Sequence, residues 1–427
     1  MKKYNFLILF TLIAVFCQAQ VQVNTELKNL INQSFTFYPK VKEVNNTIST
    51  AQQKLELTKL NNMPEITGNA SYAYVQPKIT IPLGGTDFQF APVNSMNASM
   101  NAQYALFDFG RLKANIEKSK DELQTATHNL ANVKSQLANQ VSIIYYNMVY
   151  LKKAIAIQDS VLKFLNDNKK IVDAKLKNGD ALKIDVMNIQ AAIDNEQNRK
   201  VDLLNSLQKQ LNLLAYTTGT NFENGTTFDF DLTATNNIDD LISIAQATNM
   251  DFVIMKDKIK EALSDVNIAK LSNKPIVGLQ AAAGYKNGYV PKVENPRFNY
   301  VAGVGITIPI YNGGKTKQQV KLAQNIVKQN ELAQETLNNN YRKDIQQALT
   351  DIKSNMERIQ NTTGQIEEAV YAEKLAASRF LNGTGTNLEL TNASTNVQRA
   401  ALTRLQYEYQ LCLAKIELAR LIGYKYW

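Results

Sequence analysis

The sequence predicts a mainly α-helical protein with a membrane β-barrel portion, built from two halves that each run strand, strand, long helix, return helix. Three observations lead to this fold class. Short segments alternate apolar and polar residues, and long tracts without proline separate or follow them. The junction around Gly110 also recurs around Gly314, 204 residues later. Alternation has the period of a β-strand, and proline is excluded from helix interiors. The chain is therefore predicted to be a tandem repeat of a mixed strand and helix unit.

The strands are predicted from their period of two. From Met96 to Leu106 one parity is apolar or small, whereas the other carries polar residues such as Asn97 and Asn101. The same pattern recurs from Phe298 to Ile310. Sheets with one apolar face and one polar face give this alternation. The four predicted strands cover about residues 66–80, 88–107, 276–287 and 297–311.

A long helix is predicted after each pair of strands. The first covers about residues 111–176 without proline or glycine, which is roughly 100 Å at 1.5 Å per residue. Its return helix covers about 181–216, and the second half repeats the pair at about 315–381 and 386–422. Such lengths exceed a globular core and predict a coiled coil or the wall of a helical tube. Before the first strand, residues 21–62 are predicted to be helical with a break near Pro39.

The first nineteen residues are predicted to be a signal peptide. Lys2 and Lys3 precede an apolar run that is too short to span a bilayer, and Cys17-Gln18-Ala19 offers small residues for cleavage before Gln20. The alternative is a lipoprotein signal that uses Cys17, against which the bulky Phe16 argues. The second cysteine, Cys412, lacks a partner after cleavage and is predicted to be a small packing residue rather than part of a disulfide.

Four strands in one chain cannot close a membrane barrel. Strands of about ten residues with tyrosines near their ends suit a bilayer, but membrane barrels have at least eight strands. An open edge in lipid would leave backbone groups unpaired, each at a cost of several kcal/mol. Two copies would give eight strands and three copies twelve, and composition does not choose between them. A soluble sandwich is the alternative, although the small residues of the polar parity favour a lumen.

The order of these elements resembles the TolC-like outer-membrane factor (outer membrane efflux protein) family over nearly the whole predicted mature chain. The resemblance is carried by the duplicated half, by the junction segments 106–111 and 310–315, and by Asn-Gly tips followed by Asp185-Val186 and Glu389-Leu390. It implies a homotrimer with a twelve-stranded barrel in the outer-membrane lipid of a Gram-negative-type envelope and a helical coiled-coil tunnel across the periplasm. The implied function is the outer-membrane channel of a tripartite efflux or type I secretion system.

The resemblance also implies a division of the chain. Residues 1–19 are the signal peptide, 20–216 the first repeat, 217–248 an equatorial insert, 249–423 the second repeat and 424–427 a tail. Residues 21–37, the insert and the tail are expected in a small α/β region beside the tunnel. In the insert, Phe228 and Phe230 alternate with Asp229 and Asp231, which suggests one short strand.

A periplasmic gate is implied at the hairpin tips. Family members carry acids six positions after each tip glycine, which corresponds here to Asp185 and Glu389. A further family acid, three positions after the second of these, is replaced by Asn392, so the implied constriction charge is weakened. The family's basic residue two positions after the second tip glycine is Gly385 here, which puts a latch through that position in doubt. The alternative is that both acids only complement the helix dipole.

The tips are also the implied docking sites for a periplasmic adaptor (membrane fusion) protein, which joins the channel to an inner-membrane pump of RND, ABC or MFS type. Glycines mark both the tips and the turns from strand to helix. The predicted docking residues are Lys177, Asn178, Gly179, Asp180, Asn382, Gly383, Thr384 and Gly385, and the junction residues are Gly110, Gly313 and Gly314.

Other functions fit the sequence less well. His128 is the only histidine, which excludes histidine-based metal clusters and triads. Gly314-Lys315-Thr316 lacks the leading glycine of a phosphate-binding loop, because Pro309 stands there. The net charge of +9 is interpreted as solvated helix surface rather than a nucleic-acid footprint. We therefore predict no enzyme activity, metal, cofactor or nucleic-acid partner. The alternative function is a barrel-anchored coiled-coil structural or adhesin-like surface protein, which would need no duplicated hairpins.

Overall fold

The computed structural model describes residues 21–220, 225, 227–232 and 235–427. The predicted signal peptide and Cys17 lie outside them. Within these ranges the chain forms eight strands and eight helices. They are β1 (Val21–Gln22), α1 (Thr25–Phe37), α2 (Pro39–Leu60), β2 (Glu65–Tyr74), β3 (Thr80–Leu83), β4 (Thr86–Gln89), β5 (Asn94–Phe107), α3 (Arg111–Lys177), α4 (Lys183–Thr218), β6 (Asp231–Leu232), α5 (Ile238–Thr248), α6 (Met250–Leu271), β7 (Ile276–Lys286), β8 (Arg297–Thr307), α7 (Lys315–Leu381) and α8 (Asn387–Leu421).

The main sheet has four antiparallel strands in the order β2-β5-β7-β8. The two halves of the repeat meet where β5 pairs with β7, for example Ala102 with Ala281. Among the described residues, β2 and β8 each pair with one strand of this sheet, so each presents an edge. Large apolar side chains stand exposed on the sheet, with Tyr300 79% and Val304 67% accessible.

Three of the four predicted strands were too long by several residues, and proline explains each of these differences. The first strand stops at Tyr74 rather than 80, because Pro77 follows and lacks the N–H that a ladder needs. Residues 80–89 form a separate hairpin, β3 with β4, and Pro92 lies between this hairpin and β5. Strand β8 ends at Thr307 rather than 311, two residues before Pro309.

The predicted helix from residue 21 was wrong at its start. Val21 and Gln22 form β1, which pairs with β6 in the insert, so the insert strand overlaps only the last residue of the Phe228–Asp231 alternation that suggested it. Helix α1 begins after Asn24, whose side chain accepts a hydrogen bond from the Glu26 N–H at 2.9 Å. Pro39 occupies the first position of α2, where its missing N–H costs nothing.

The two long helices, α3 and α7, each contain 67 residues. Each begins at the predicted residue, and α3 extends one residue beyond its predicted end. The first return helix lies two residues further along the chain than predicted, at both ends. Its C-terminus is fixed by Gly219, which adopts the left-handed conformation with φ 76° and donates to the Ala215 carbonyl. No described helix combines the length and apolarity needed to cross a bilayer.

By its internal contacts the chain divides into two compact units that cut across the repeats. One unit comprises Met1–Lys42 (described from residue 21), Ala131–Phe252 and Leu337–Trp427; the other comprises Glu43–Leu130 and Val253–Thr336. The division differs from the predicted repeat boundaries, because each repeat contributes two strands of the main sheet to the second unit and its hairpin tip to the first. Below, they are called the tip unit and the sheet unit.

The tip unit contains an aromatic core. Tyr426 from the tail packs edge-on against Phe230 at 5.1 Å between ring centroids, and its hydroxyl lies 3.1 Å from Ser142 Oγ. Cys412 is 4% exposed, and burial raises the pKa of its thiol well above the ordinary value. The insert and the tail are thereby fixed on helices α3 and α8.

The sheet unit is held by charged contacts between α3 and α6. His128 Nδ1 lies 2.5 Å from Asp257 Oδ2, and Lys260 Nζ lies 2.9 Å from Asp121 Oδ1. Asp121 is buried, so its pairing with lysine offsets part of the cost of desolvating the carboxylate. The histidine is thus a structural partner of a carboxylate.

Candidate functional site

The first hairpin tip is a short turn between α3 and α4. Gly179 has φ 87°, a conformation that other residues rarely adopt, and its N–H donates to the Leu176 carbonyl at 3.1 Å. Asp185 lies in the first turn of helix α4, and its carboxylate accepts a hydrogen bond from the Leu182 N–H at 2.9 Å. Asp185 therefore caps its own helix, as the dipole interpretation of this residue requires.

The second tip is built in the same way between α7 and α8. Gly383 has φ 75°, and the N–H groups of Thr384 and Gly385 both donate to the Arg379 carbonyl, at 2.9 and 3.0 Å. Thr386 is the N-cap of α8, because its hydroxyl accepts from the Glu389 N–H at 3.2 Å. Glu389 thus contributes its backbone to the cap, and its carboxylate points elsewhere.

The carboxylate of Glu389 has a cationic partner that the sequence analysis missed. Arg379 Nη1 lies 3.5 Å from Glu389 Oε2. A Cβ built on Gly385 would come within 2.9 Å of Arg379 Cβ and 3.2 Å of Glu389 Oε2, so a side chain does not fit at position 385. Gly385 stands where the family resemblance implied a basic residue, and Arg379 lies beside the acid instead. The available signal was a basic residue in the last turn of α7.

Glu389 and Asn392 line one open groove between α7 and α8, with a volume of about 720 Å³. Across the groove lie Gln365 and Glu368 of α7, and Arg399 lies further along α8. Two of the three predicted gate residues therefore share a surface. Asp185 belongs to the other hairpin, where the Leu182 N–H holds it.

A common apolar core joins the two hairpins behind their tips. Phe380 of α7 and Leu390 of α8 pack in one cluster with side chains of α3 and α4. Lys175 Nζ donates to the Phe380 carbonyl at 2.8 Å and lies 4.2 Å from the centre of the Phe380 ring. The lysine thereby caps the C-terminal end of α7 from the other hairpin. The cluster contains Leu165, Val172, Ile189, Ile193, Phe380 and Leu390.

The junctions from strand to helix also use left-handed backbone. Gly110, Gly313 and Gly314 have φ values of 89°, 64° and 77°. At the first junction the Asp108 carboxylate caps α3, accepting from the Gly110 and Leu112 N–H groups at 3.0 and 2.5 Å. Arg111 donates to the Ser272 carbonyl at 3.0 Å, which ties this junction to the end of α6. The predicted junction residues thus lie at the turns.

These features, a duplicated strand and helix order with capped tips, match a known family along most of the chain. The outer membrane efflux protein family matches residues 30–220 and 241–424. The chain belongs to the outer membrane efflux protein family. The protein is therefore an outer-membrane efflux channel, and channels of this family work with adaptor and inner-membrane pump partners in tripartite systems.

Individual relatives are distant in sequence and similar in fold. The channel is 20% identical to the outer membrane efflux protein BepC of Brucella suis biovar 1, over 87% of this chain and 79% of BepC. It is similar to the crystal structure of outer membrane protein VceC from Vibrio cholerae, with a TM-score of 0.76 at 17% identity, covering 94% of this chain and 97% of VceC. The open state of the Neisseria gonorrhoeae MtrE channel gives a TM-score of 0.74 at 16% identity, covering 93% and 89%. The fold class predicted from the sequence, two duplicated halves with long helices and a barrel sheet, is confirmed.

Proposed function

We propose that the channel works as a homotrimer, in which three four-stranded sheets close a twelve-stranded barrel in the outer membrane. The observation that carries this proposal is the pair of edges that β2 and β8 present in one chain. Backbone groups on an edge have no water to bind inside a bilayer, so the edges need strands from other copies. Bacterial barrels have eight strands or more, which two or three copies would supply. The resemblance to TolC-like proteins supports three.

The number of copies is tested by mixing two forms of the chain. Cells that co-express an unmodified channel and one with a charged C-terminal tag should yield mixed assemblies after detergent extraction. A homotrimer separates into four species on native electrophoresis, whereas a dimer gives three and a monomer two. The mass of the untagged species should be about three chain masses, the full chain being 47.9 kDa. Two species, or a monodisperse monomer, would contradict the trimer.

The same proposal assigns the periplasmic gate to the second tip. Three copies of Glu389 around an axis would concentrate negative potential at the tunnel mouth, with Asp185 contributing from the first hairpin and Asn392 adding no charge. Arg379 lowers this potential because it lies beside each Glu389. The gate is therefore a ring of partly compensated carboxylates.

The tips dock the adaptor in this proposal. Leu182 and Leu388, each beside one tip turn, are 69% and 65% exposed, so apolar surface is available next to the polar turns. An adaptor hairpin that covers these leucines would bury them and contact the turn residues 177–180 and 382–385. The inner-membrane pump behind the adaptor is of the RND, ABC or MFS type, and it supplies the energy while the channel conducts passively.

A further inference from the structure

The charged residues of the main sheet are few, and all of them lie on one face. Strands β2, β5, β7 and β8 contain three, namely Glu65, Lys286 and Arg297. Lys286 pairs with Asn97 on one side and with Arg297 on the other. Glu65 pairs with Gln103. Since Asn97 and Gln103 belong to the polar parity of β5, all three charges share the polar face, and the apolar face of these described strands carries none.

The two cations lie at the end of the sheet that is remote from the helices. Helices α2 and α6 lead into β2 and β7, whereas β5 and β8 lead into α3 and α7. Glu65 is the first residue of β2 and therefore lies at the helix end. Lys286 and Arg297 end β7 and begin β8, about 20 Å away along the strands. Because the helices extend into the periplasm in the proposed barrel, the cations lie at its outer end.

Lys286 and Arg297, called the cation pair below, face each other across the ladder. Like charges directly opposite each other destabilise a sheet. Both side chains are exposed, and neither forms an ion pair within the described part of the chain. A second copy would not neutralise them through its strand, because the edge that meets β8 in the proposed barrel is β2, whose one charge lies at the other end. The fold gains nothing from the cation pair, which indicates a role in function.

The connections at this end add no net charge. Residues 75–93 and 287–296 together contain two lysines and two acids, which are Lys78, Lys292, Asp87 and Glu294. The Glu294 carboxylate is bound locally, since its Oε1 accepts a hydrogen bond from the Val93 N–H at 2.8 Å. The excess of positive charge at the outer end therefore comes from the cation pair.

We propose that the cation pairs of three copies form a basic ring at the outer end of the barrel lumen, and that this ring favours the passage of anionic solutes bearing carboxylate, phosphate or sulfonate groups. The inference rests on the trimeric barrel proposed above, with the polar parity facing the lumen. Rings of lysine or arginine select anions in pores, as rings of acids select cations. Glu65 places negative charge at the inner end, so the potential changes sign along the barrel. An anion that leaves the tunnel is therefore attracted towards the outer mouth.

The ring is tested first with a reporter cysteine. Asn97→Cys places a thiol beside Lys286, and its reaction rates with an anionic and a cationic methanethiosulfonate are compared in the detergent-extracted trimer, where Cys412 is buried. Replacing the cation pair, by Lys286→Gln with Arg297→Gln, should lower the ratio of the anionic to the cationic rate roughly fivefold in 0.1 M salt. This estimate takes charges about 5 and 10 Å away in water, at one and two strand spacings.

A matched reporter gives the control. Asn101→Cys lies on the same face of β5, about 14 Å further along the strand and beyond the Debye length of ~10 Å at 0.1 M salt. Its rate ratio should hardly change when the cation pair is replaced. An unchanged ratio at Asn97→Cys would overturn the ring and leave the barrel intact. If neither reagent reacted with Asn97→Cys in an intact trimer, the polar parity would face away from water, and the lumen assignment would fall with the ring.

Ion selectivity tests what the ring does. In planar bilayers of neutral phospholipid without lipopolysaccharide, replacing the cation pair should raise the permeability of K⁺ relative to Cl⁻ roughly threefold at 0.01 M salt, where the Debye length is about 30 Å. Thermal stability should stay unchanged or rise, because the opposed like charges are gone.

The matched control for selectivity removes the same charge from the connections, by Lys78→Gln with Lys292→Gln, and should change the permeability ratio less. Equal changes in the two double variants would overturn the ring, because the total charge at the mouth would then set selectivity. A change that appeared only with lipopolysaccharide would also overturn it, because the cation pair would then bind lipid phosphates. The number of copies is judged separately, by the mixing experiment.

Discussion

At Glu389 the charge of the proposed gate is set by two residues, the acid and the arginine one hairpin turn away. The Glu389 carboxylate and Arg379 are both about half exposed, so their ion pair is screened by water and contributes little to stability. Its effect is on the local field. Removing either member should therefore alter which ions pass more than it alters whether the trimer assembles.

Replacing the acid should change ion selectivity. In single-channel recordings at low salt, Glu389→Gln should reduce the preference for cations and Glu389→Lys should abolish or invert it. Asp185→Asn should have a smaller effect in the same direction, because that carboxylate is bound to the Leu182 N–H. The differences should shrink at 1 M salt, where the Debye length is ~3 Å. Wild-type selectivity in Glu389→Lys at low salt would reduce Glu389 to a helix-start residue.

Removing the arginine should act in the opposite direction. Arg379→Gln keeps a donor for the Thr384 carbonyl but leaves Glu389 without its adjacent positive charge. Cation preference at low salt should therefore rise above that of the wild type. The matched control is Arg399→Gln, which alters a cation elsewhere in the same groove. Equal changes in the two variants would mean that the net charge of the groove, rather than the contact with Glu389, controls selectivity.

Cys412 should be inert in the folded channel. Burial raises the pKa of its thiol, so the reactive thiolate is suppressed at neutral pH and gains population only as pH approaches the raised value. Maleimide should leave the native trimer unlabelled from pH 7 to pH 9 and should label one cysteine per chain in denaturant, if the signal peptide has been removed. Rapid labelling of the native trimer at pH 7 would show that the aromatic core is open there.

Among the elements, the tip turns are where a substitution can disrupt the backbone conformation without disturbing a hydrophobic core. Gly179→Leu and Gly383→Leu, made together, place side chains where φ is 87° and 75°. Export should be lost while trimer assembly persists, because both turns are remote from the sheet in sequence and lie at exposed residues. Gly364→Leu is the control, since Gly364 lies within helix α7 and has open space around it. Normal export by the double variant would exclude the tips as docking sites.

How far each element could be predicted depends on whether its determinants are local. The long helices are marked by local signals, namely Gly110 and Gly314 before them and Gly179 and Gly383 after them. The strand ends depend on proline, and a prediction from alternation alone does not take proline into account. Residues at both ends of the hairpin of β3 and β4 were therefore assigned to the neighbouring strands. Strand β1 has two residues and exists only through its pairing with the distant β6. No local pattern could have predicted it.

The residues of the candidate site likewise differ in whether local sequence alone could identify them. Asp185, Glu389 and the tip glycines were found by counting along the chain. Arg379 was missed because its role depends on the space left by Gly385. Periodicity describes which face of a helix is buried. It does not state which buried residues meet.

For the whole molecule, the decisive question is which parity of the main sheet faces lipid. In β8 the even-numbered residues, such as Tyr300 and Val304, are large and exposed, whereas their neighbours Gly303 and Gly305 are small. A large apolar surface that stays exposed in one chain needs a partner or a membrane to cover it. Small residues on the other parity leave room for a lumen.

This assignment is tested by placing one lysine on each parity at adjacent positions. Val304→Lys should destabilise the assembled barrel by about 2–4 kcal/mol per chain if the site lies near the bilayer midplane, because the ammonium must then leave water. Gly303→Lys has space for its side chain and should be tolerated, since it would point into the lumen. The yield of folded trimer in outer-membrane fractions should therefore fall only for Val304→Lys, and cation conductance should fall only for Gly303→Lys. The reverse result would assign the apolar parity to the interior, and equal loss in both variants would favour a sheet packed on both faces over a barrel.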